Sequence, residues 1–520
     1  MKFWNLRLQM GWAAVVMGAS ILVSRFMGLI RDKVISYFFG AGKEADLYFA
    51  AFVIPDFINY LLAGAYFSIT LIPLLSAYFE QDEEDGWRFF STVMTWIGLI
   101  VSLMTLTAML LAPKLAYVAA PGLDQQSLDR LAFFLRIILP AQICFLLGSC
   151  LSAVLYLRRQ FTVPALTPLI YNLLIITGGI LLRSRGIVGF CWGVLAGAFL
   201  GNLLLPYLAV RLGGGLRIRL SFYHPGLKQF ILLALPLMIG QSIVVLDEQL
   251  VRVFGSLAGV GAISWLSYAR RIMLVPVGVV AQAAGVASFP FLATLFARKD
   301  YSSFHDTLNS ALRGVLTRLI PISIWMMLVS KPTITLIFQQ GHFGAMDTEQ
   351  TSLLLKILLV VVFCWGFQQV LGRGFYARQD TLTPAVLGTL ATLMSIPIYY
   401  LLTQRLGAVG VALASAASIA LYTIVLTGWW LYRFGGQTFA GLAVDSLKLL
   451  AVSLAACAPA AVLAHMQLPV ANIYLQSFFT IAASGLVFSV SFLLFGSYLL
   501  PAQLHPLLKR LGPLGYRLMR

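Results

Sequence analysis

Arg159-Gln160-Phe161-Thr162-Val163-Pro164-Ala165 returns later in the chain as Arg378-Gln379-Asp380-Thr381-Leu382-Thr383-Pro384-Ala385, one residue longer. Gly186-Ile187-Val188-Gly189 returns as Gly407-Ala408-Val409-Gly410, and Pro73-Leu74-Leu75-Ser76 as Pro290-Phe291-Leu292-Ala293. Each match alone is weak. Three in the same order, at offsets from 217 (Pro73 to Pro290) to 221 (Gly186 to Gly407), define an internal repeat. That interval contains six long apolar segments, an even number, so the two copies cross a bilayer in the same sense. This is a parallel repeat about an axis along the membrane normal. The expected architecture is all-α and polytopic. Helices 1–6 (1–220) and 7–12 (221–435) form two lobes, followed by helices 13–14 and a basic tail (436–520). Two lobes around a cleft suit alternating access better than a receptor or scaffold.

The rest of the chain agrees with a membrane setting. Of 520 residues, 60% are hydrophobic and 11% charged, against about 25% charged in soluble domains. A spanning helix needs about 20 mainly apolar residues. Fourteen such spans are expected, at 11–39, 46–79, 88–117, 131–157, 163–182, 187–210, 228–255, 261–296, 309–338, 351–376, 383–403, 408–432, 441–466 and 473–499. No connection between them is long enough for an extramembrane catalytic domain. The run after Lys2 and Arg7 continues through Phe39 without a small-residue cleavage site, so it reads as a retained first helix rather than a signal peptide.

The net charge of +17 is spread singly and in pairs between apolar stretches rather than in a tail or block. That is the pattern of the positive-inside rule and not of a nucleic-acid binder. Pairs such as Arg158-Arg159, Arg298-Lys299 and Lys509-Arg510 lie on the side of both termini and outnumber the bases opposite, so both termini are expected in the cytoplasm. The acidic run Asp82-Glu83-Glu84-Asp85 reads as a solvated loop, and His305 and His342 as solvated loop histidines. The five cysteines (Cys144, Cys150, Cys191, Cys364, Cys457) form no CxxC, which argues against a disulfide frame or zinc site. No nucleophile–His–acid set, metal cluster or glycine-rich phosphate loop stands out, so the reading is a transporter and not an enzyme.

Charges inside apolar spans are the sharpest functional signal. The first span carries Arg25, Arg31, Asp32 and Lys33, and the second Asp46 and Asp56. The seventh carries Asp247, Glu248 and Arg252, the eighth Arg270 and Arg271, and the tenth Arg373. A mid-membrane Arg costs about 2.5–3.5 kcal/mol on insertion scales unless it meets water or an anion. A hydrated cationic cleft is therefore expected, and the planar guanidinium suits a phosphate or pyrophosphate on a lipid. Six residues separate Arg25 from Arg31, which sets them about 120° apart on a regular helix. A bend at Gly28 would let both reach one ligand. Asp46 is either a cap or a partner for Arg25 or Arg31. Glu248 and Arg252 stand at i, i+4 and are placed to pair, and one of Arg270 and Arg271 reads as a helix partner.

These residues resemble a known family. Ser24-Arg25-Phe26-Met27-Gly28-Leu29-Ile30-Arg31-Asp32, Phe39-Gly40-Ala41-Gly42 and Ala45-Asp46 are similar to the opening of the MurJ/MviN family of lipid II flippases. Trp265-Leu266-Ser267-Tyr268-Ala269-Arg270-Arg271 and Phe375-Tyr376-Ala377-Arg378-Gln379-Asp380-Thr381 resemble its later segments. The resemblance implies a fourteen-helix flippase of the bacterial inner membrane. It would carry undecaprenyl-pyrophosphate disaccharide-pentapeptide outward for peptidoglycan synthesis, beside cell-wall synthesis proteins. It places substrate contacts on Arg25, Arg31, Arg271 and Asp46, with Ser24 and Arg270 beside them. No cofactor is implied beyond a coupling cation or the membrane potential, for which Asp247 is the candidate residue. The chain departs from the family at Asn59, Gly64, Arg270 and Leu274. That leaves another polyprenyl-pyrophosphate glycan, or a multidrug/cation antiporter of the same fold, as alternative cargo classes.

Overall fold

The computed structural model describes residues 10–62, 64–213, 218–241, 246–466 and 472–500. Every regular element among them is helical. Lys2, Arg7, Arg217 and the basic tail from 501 lie outside the described residues. The chain packs as two compact units, Met1–Ser264 and Trp265–Arg520.

The first unit opens with α1 (Met10–Phe39), α2 (Lys43–Ala50), α3 (Val53–Leu61) and α4 (Gly64–Gln81). It continues through α5 (Glu83–Leu110), α6 (Ala112–Ala119), α7 (Gln125–Ile138), α8 (Ala141–Leu157) and α9 (Thr162–Leu181). Next come α10 (Val188–Gly197), a π-helical tract (Ala198–Leu204) and α11 (Leu205–Leu212), then α12 (Gly226–Gln241) and α13 (Leu246–Leu257). The boundary falls in the first turn of α14 (Ala262–Pro276). The second unit holds a π-helical tract (Val277–Gln282), α15 (Ala283–Ala297), α16 (Tyr301–Leu328), α17 (Ser330–Phe338), α18 (Ala345–Leu359) and α19 (Val362–Ala377). It closes with α20 (Leu382–Phe434), α21 (Leu442–His465) and α22 (Ile473–Leu499).

Among the described residues, nine helices are long and apolar enough to cross a membrane, ten with the pair α18–α19, which bends by 45°. That criterion does not confirm fourteen, for physical reasons. The expected span 46–79 is divided into α2, α3 and α4, and 228–255 into α12 and α13. Spans 383–403 and 408–432 run together as the 53-residue α20, broken by the non-helical Gly407.

The internal repeat is written in the backbone. Arg159 (φ 58°) and Gln379 (φ 62°) both take the left-handed conformation, two residues past the ends of α8 and α19. Gln160 N–H donates to the Leu155 carbonyl at 2.8 Å, and Asp380 N–H to that of Phe375 at 3.0 Å. This is the same helix-terminating turn twice. The offset is a constant 220 (Arg158 to Arg378, Pro164 to Pro384), so no residue is inserted and Arg158 is the counterpart of Arg378. Each of these arginines lies on aromatic rings. Arg158 is 5.5 Å from the Trp87 ring, and Arg378 is 3.7 Å from Phe434 and 5.3 Å from Phe296. Gly186 (φ 73°, ψ −154°) and Gly407 (φ 56°, ψ −133°) share a conformation open only to glycine.

Helix α5 begins where a loop was expected. Asp82 caps it by accepting from Glu84 N–H at 3.0 Å, and Glu83, Glu84 and Asp85 form its first turn, where acids suit the helix dipole. Segment 218–226 is then stapled along this helix. Arg219 N–H donates to Ser91 Oγ (3.2 Å), Ser221 N–H to Thr95 Oγ1 (3.4 Å) and Trp96 Nε1 to the Phe222 carbonyl (3.0 Å). His224 Nδ1 accepts from Gly226 N–H, leaving Nε2–H for Asp85 at 3.2 Å. Helices α12 and α13 therefore pack on α2–α6 of the first unit, so the packing boundary at Ser264 comes later than the repeat boundary expected at 220.

The second unit holds its own linker in a related way. His305 is buried in α16, not solvated, and its Nδ1 meets Thr438 Oγ1 at 2.5 Å. Asn309 donates to the Thr438 carbonyl at 2.7 Å, and Arg313 pairs with Asp445. His342 is exposed, as expected.

At the opposite end of the first unit, Lys43 pairs with Asp124 (3.0 Å) and Arg130 with Glu44 (2.7 Å). The Ser127 hydroxyl, then the Lys43 ammonium, hold the Asp124 carboxyl down at about 2. Its contribution is in place above the ordinary carboxylate range and is lost only as the pH falls through that value.

One packing contact yields a direct prediction. A Cβ on Gly148 of α8 would lie 1.8 Å from the Asn202 carbonyl oxygen, whereas one on Gly98 of α5 would meet only Leu147 Cδ2 at 3.6 Å. Gly148→Ala is expected to destabilise the chain by about 1–3 kcal/mol through overpacking. Gly98→Ala should be neutral or gain up to about 1 kcal/mol of helix propensity. Thermal unfolding of the two purified variants side by side checks the contrast.

Candidate functional site

Helix α1 lies along α9, tied by the Ser20 hydroxyl on the Ala165 carbonyl and by Asn172 Nδ2 on Ser24 Oγ at 3.4 Å. Ser24 is thus placed in the α1–α9 seam. The helix runs unbroken through Gly28, so Arg25 and Arg31 leave it on different faces. Arg25 is exposed, beside the exposed apolar side chains Ile21, Leu22 and Phe26. Arg31 is part-buried and turns both Nε (2.9 Å) and Nη2 (2.8 Å) onto Asp32 Oδ1. Arg25 therefore lies on an exposed, apolar face of α1, while Arg31 is turned inward onto Asp32.

Asp46 is 2% exposed and bonds with residues more than 200 positions away. Its carboxylate accepts from Gly261 N–H (2.5 Å), Ser264 N–H (2.8 Å) and Ser264 Oγ (2.6 Å). It acts as a cap, one of the two expected roles, and the helix it caps is α14. An anion is favoured there because the first N–H groups of a helix lack internal partners and carry the positive end of its dipole.

A second charged group joins α3 to α13. Arg252 donates to Asp56 (2.8 Å), Glu248 (2.6 Å) and the Gln249 side-chain oxygen (3.2 Å). The expected i, i+4 pair is present, and Asp56 makes it a triad. The sequence offered Asp56 as an intramembrane acid but gave no sign of its partner. An apolar cavity of about 620 Å³, lined by Val53, Phe57, Met104, Leu115, Gln249 and Val253, borders the triad. Asp247 is buried in the first turn of α13.

In the second unit Arg270 is 6% exposed. It lies 5.0 Å from the Trp365 ring centroid and donates to Ser415 Oγ at 3.3 Å, a position that packs α14 against α19 and α20. Its neighbour Arg271 points elsewhere on the helix and is half-buried. Arg373 rests near Phe289 (6.0 Å) and Tyr376 (5.8 Å). The aromatic seats of Arg158 and Arg378 went unread, although the repeated turn sequence marks both positions. Among the described residues, no three His, Cys, Asp or Glu side chains are placed to hold a metal ion.

Comparison with known proteins gives a consistent result. The family model described as lipid II flippase MurJ matches residues 35–501. The probable lipid II flippase MurJ of Vibrio cholerae is 28% identical over 430 residues, covering 80% of this chain and 81% of that protein. The lipid II flippase MurJ of Burkholderia cenocepacia is 25% identical over 428 residues, covering 80% and 82%. Among solved structures, a lipid II flippase MurJ in an inward closed conformation superposes with a TM-score of 0.77 at 24% identity, over 93% of this chain and 98% of that one. An inward-facing multidrug resistance MATE transporter reaches 0.67 at 15% identity, over 82% and 98%. At these identities the two structures speak to the fold alone.

Proposed function

The chain belongs to the lipid II flippase MurJ family, and from that premise we propose that it translocates the undecaprenyl-pyrophosphate-linked peptidoglycan precursor from the inner to the outer leaflet. It is a multi-pass membrane protein of a transporter family. The setting proposed is the bacterial inner membrane, with both termini cytoplasmic as the distribution of Lys and Arg favours. The observation that carries the reading is Arg25: an exposed guanidinium on a span, flanked by exposed Leu22 and Phe26. A cation so placed suits an anion joined to a hydrocarbon, and its planar fork suits a pyrophosphate. Arg271, half-buried on α14, is a cation of the second repeat, one helix later in that repeat than Arg25 is in the first.

Arg31 and Asp46 enter this reading as positioning residues, Arg31 turned onto Asp32 and Asp46 buried at the start of α14. Arg270 joins them, held by Trp365 and Ser415. The cycle is alternating access built on the two six-helix repeats, driven by the membrane potential or a coupling cation, with Asp247 as its candidate residue.

The test is rescue of cells depleted of their own lipid II flippase. The wild-type chain should restore growth. Arg25→Ala and Arg271→Ala should each abolish rescue at unchanged membrane levels, and Arg25→Lys should retain part of it. Growth with both alanine variants would sink the pyrophosphate clamp. Stable insertion of the wild type without rescue would favour the second reading, a different polyprenyl-pyrophosphate glycan, for which the altered positions Asn59, Gly64 and Leu274 speak.

A further inference from the structure

One surface of the first unit combines three features that the transport reading does not use. The non-helical segment 218–223 is apolar and exposed: Leu220 is 82% exposed, Tyr223 74% and Phe222 53%. Exposed cations accompany it, Arg219 within the segment and Lys228 in the first turn of α12. Between α5 and α12 lies a groove of about 230 Å³ without polar lining, formed by Val93, Trp96, Ile97, Phe230, Ile231 and Leu235.

These features are physically continuous. Trp96 lines the groove, donates its Nε1–H to the Phe222 carbonyl at 3.0 Å and meets the Phe222 ring edge-on at 6.3 Å. Lys228, Ile231 and Leu235 are spaced i, i+3, i+7, so they share one face of α12 with the cation at its end. The acids Glu84 and Asp85 of α5 stand roughly 9–11 Å along the helix axis from Ser91, which receives Arg219 N–H, and Asp85 is engaged by His224. Aromatic side chains and bases gathered at one end of the spans are the signature of the membrane–water interface. A dry groove opening there fits a hydrocarbon chain, and the paired cations fit a phosphate.

We propose that segment 218–223 and the α5–α12 groove form a binding site for an anionic glycerophospholipid of the bilayer, one acyl chain in the groove and the phosphate between Arg219 and Lys228. The site is independent of the cargo, because neither Arg25 nor Arg271 takes part, so failure of rescue does not bear on it.

The test uses the full chain in vesicles that contain no cargo lipid. Phosphatidylglycerol or phosphatidylcholine with brominated acyl chains is added at equal mole fraction to a phosphatidylcholine background. Quenching of Trp96 is read as the difference between the wild-type chain and Trp96→Phe. Brominated phosphatidylglycerol should quench Trp96 about fivefold more effectively, a preference that two interfacial cations supply. Arg219→Gln together with Lys228→Gln should remove most of it. Ala234→Phe, which fills the groove, should reduce quenching by either lipid. Equal quenching of the wild type by both lipids overturns the proposal. So does a preference that survives the double substitution, or quenching that Ala234→Phe leaves unchanged. The wild-type comparison needs no variant of uncertain folding beyond the Trp96→Phe reference.

Discussion

Asp46→Ala is expected to cost the purified chain about 3–5 kcal/mol and to abolish rescue. The carboxylate satisfies two backbone N–H groups and one hydroxyl at the start of α14, all buried. Hydrogen bonds to a charged group are worth about 1.5–3 kcal/mol each, and a buried donor left without its acceptor adds its own desolvation cost. The contributions are not additive, so the expected loss is well below their sum. Asp46→Asn keeps one acceptor oxygen at the same length and should fall between wild type and alanine. The measurement is thermal unfolding in detergent, run beside the growth assay. If Asp46→Ala melts like the wild type, the cap contributes nothing to stability, and any growth defect must then come from contact with cargo.

Arg252→Ala should also be damaging, for a different reason. It leaves Asp56 and Glu248 facing one another across α3 and α13 with their shared cation gone. Removing one partner from a fully buried ion group costs about 3–5 kcal/mol; here Asp56 and Glu248 are 30% and 35% exposed, so solvent screens the survivors and the expected loss is roughly 1–3 kcal/mol. Replacing all three together, as Arg252→Met with Asp56→Asn and Glu248→Gln, should recover most of that loss. The contrast between single and triple replacement in unfolding experiments is the check. A single variant as stable as the triple one would show that the triad is solvated rather than enclosed.

What the sequence revealed and what it hid divide along the range of the interactions. The repeat was legible because it rests on local backbone chemistry: the turn after Leu157 and Ala377, and the glycines at 186 and 407, impose their conformations wherever they occur. The membrane class was legible because apolar composition accumulates over whole spans. The bend between α18 and α19 was not, since it falls at Val360-Val361, where no proline or glycine marks it. Partner choice was hidden for the same reason. Asp46 meets Gly261 and Ser264, and Asp56 meets Arg252, through contacts that no local pattern encodes. Arg25 and Arg31 look equivalent on paper, yet the first is exposed and the second is part-buried on Asp32. His305 looked like a loop histidine because its stabilising neighbour, Thr438, lies on a distant linker.

The placement of the packing boundary at Ser264 also has a temporal meaning. A nascent chain leaves the ribosome N-terminus first at about 5–20 residues per second, so the second half needs roughly another 13–50 s of synthesis. During that interval the first unit already holds partners for Arg252 and for Asp46. Arg252 has Asp56 and Glu248, segment 218–226 is fastened to α5, and the emerging first turn of α14 finds Asp46 waiting. Had the boundary coincided with the repeat at 220, Asp56 would sit through translation in the bilayer without its cation.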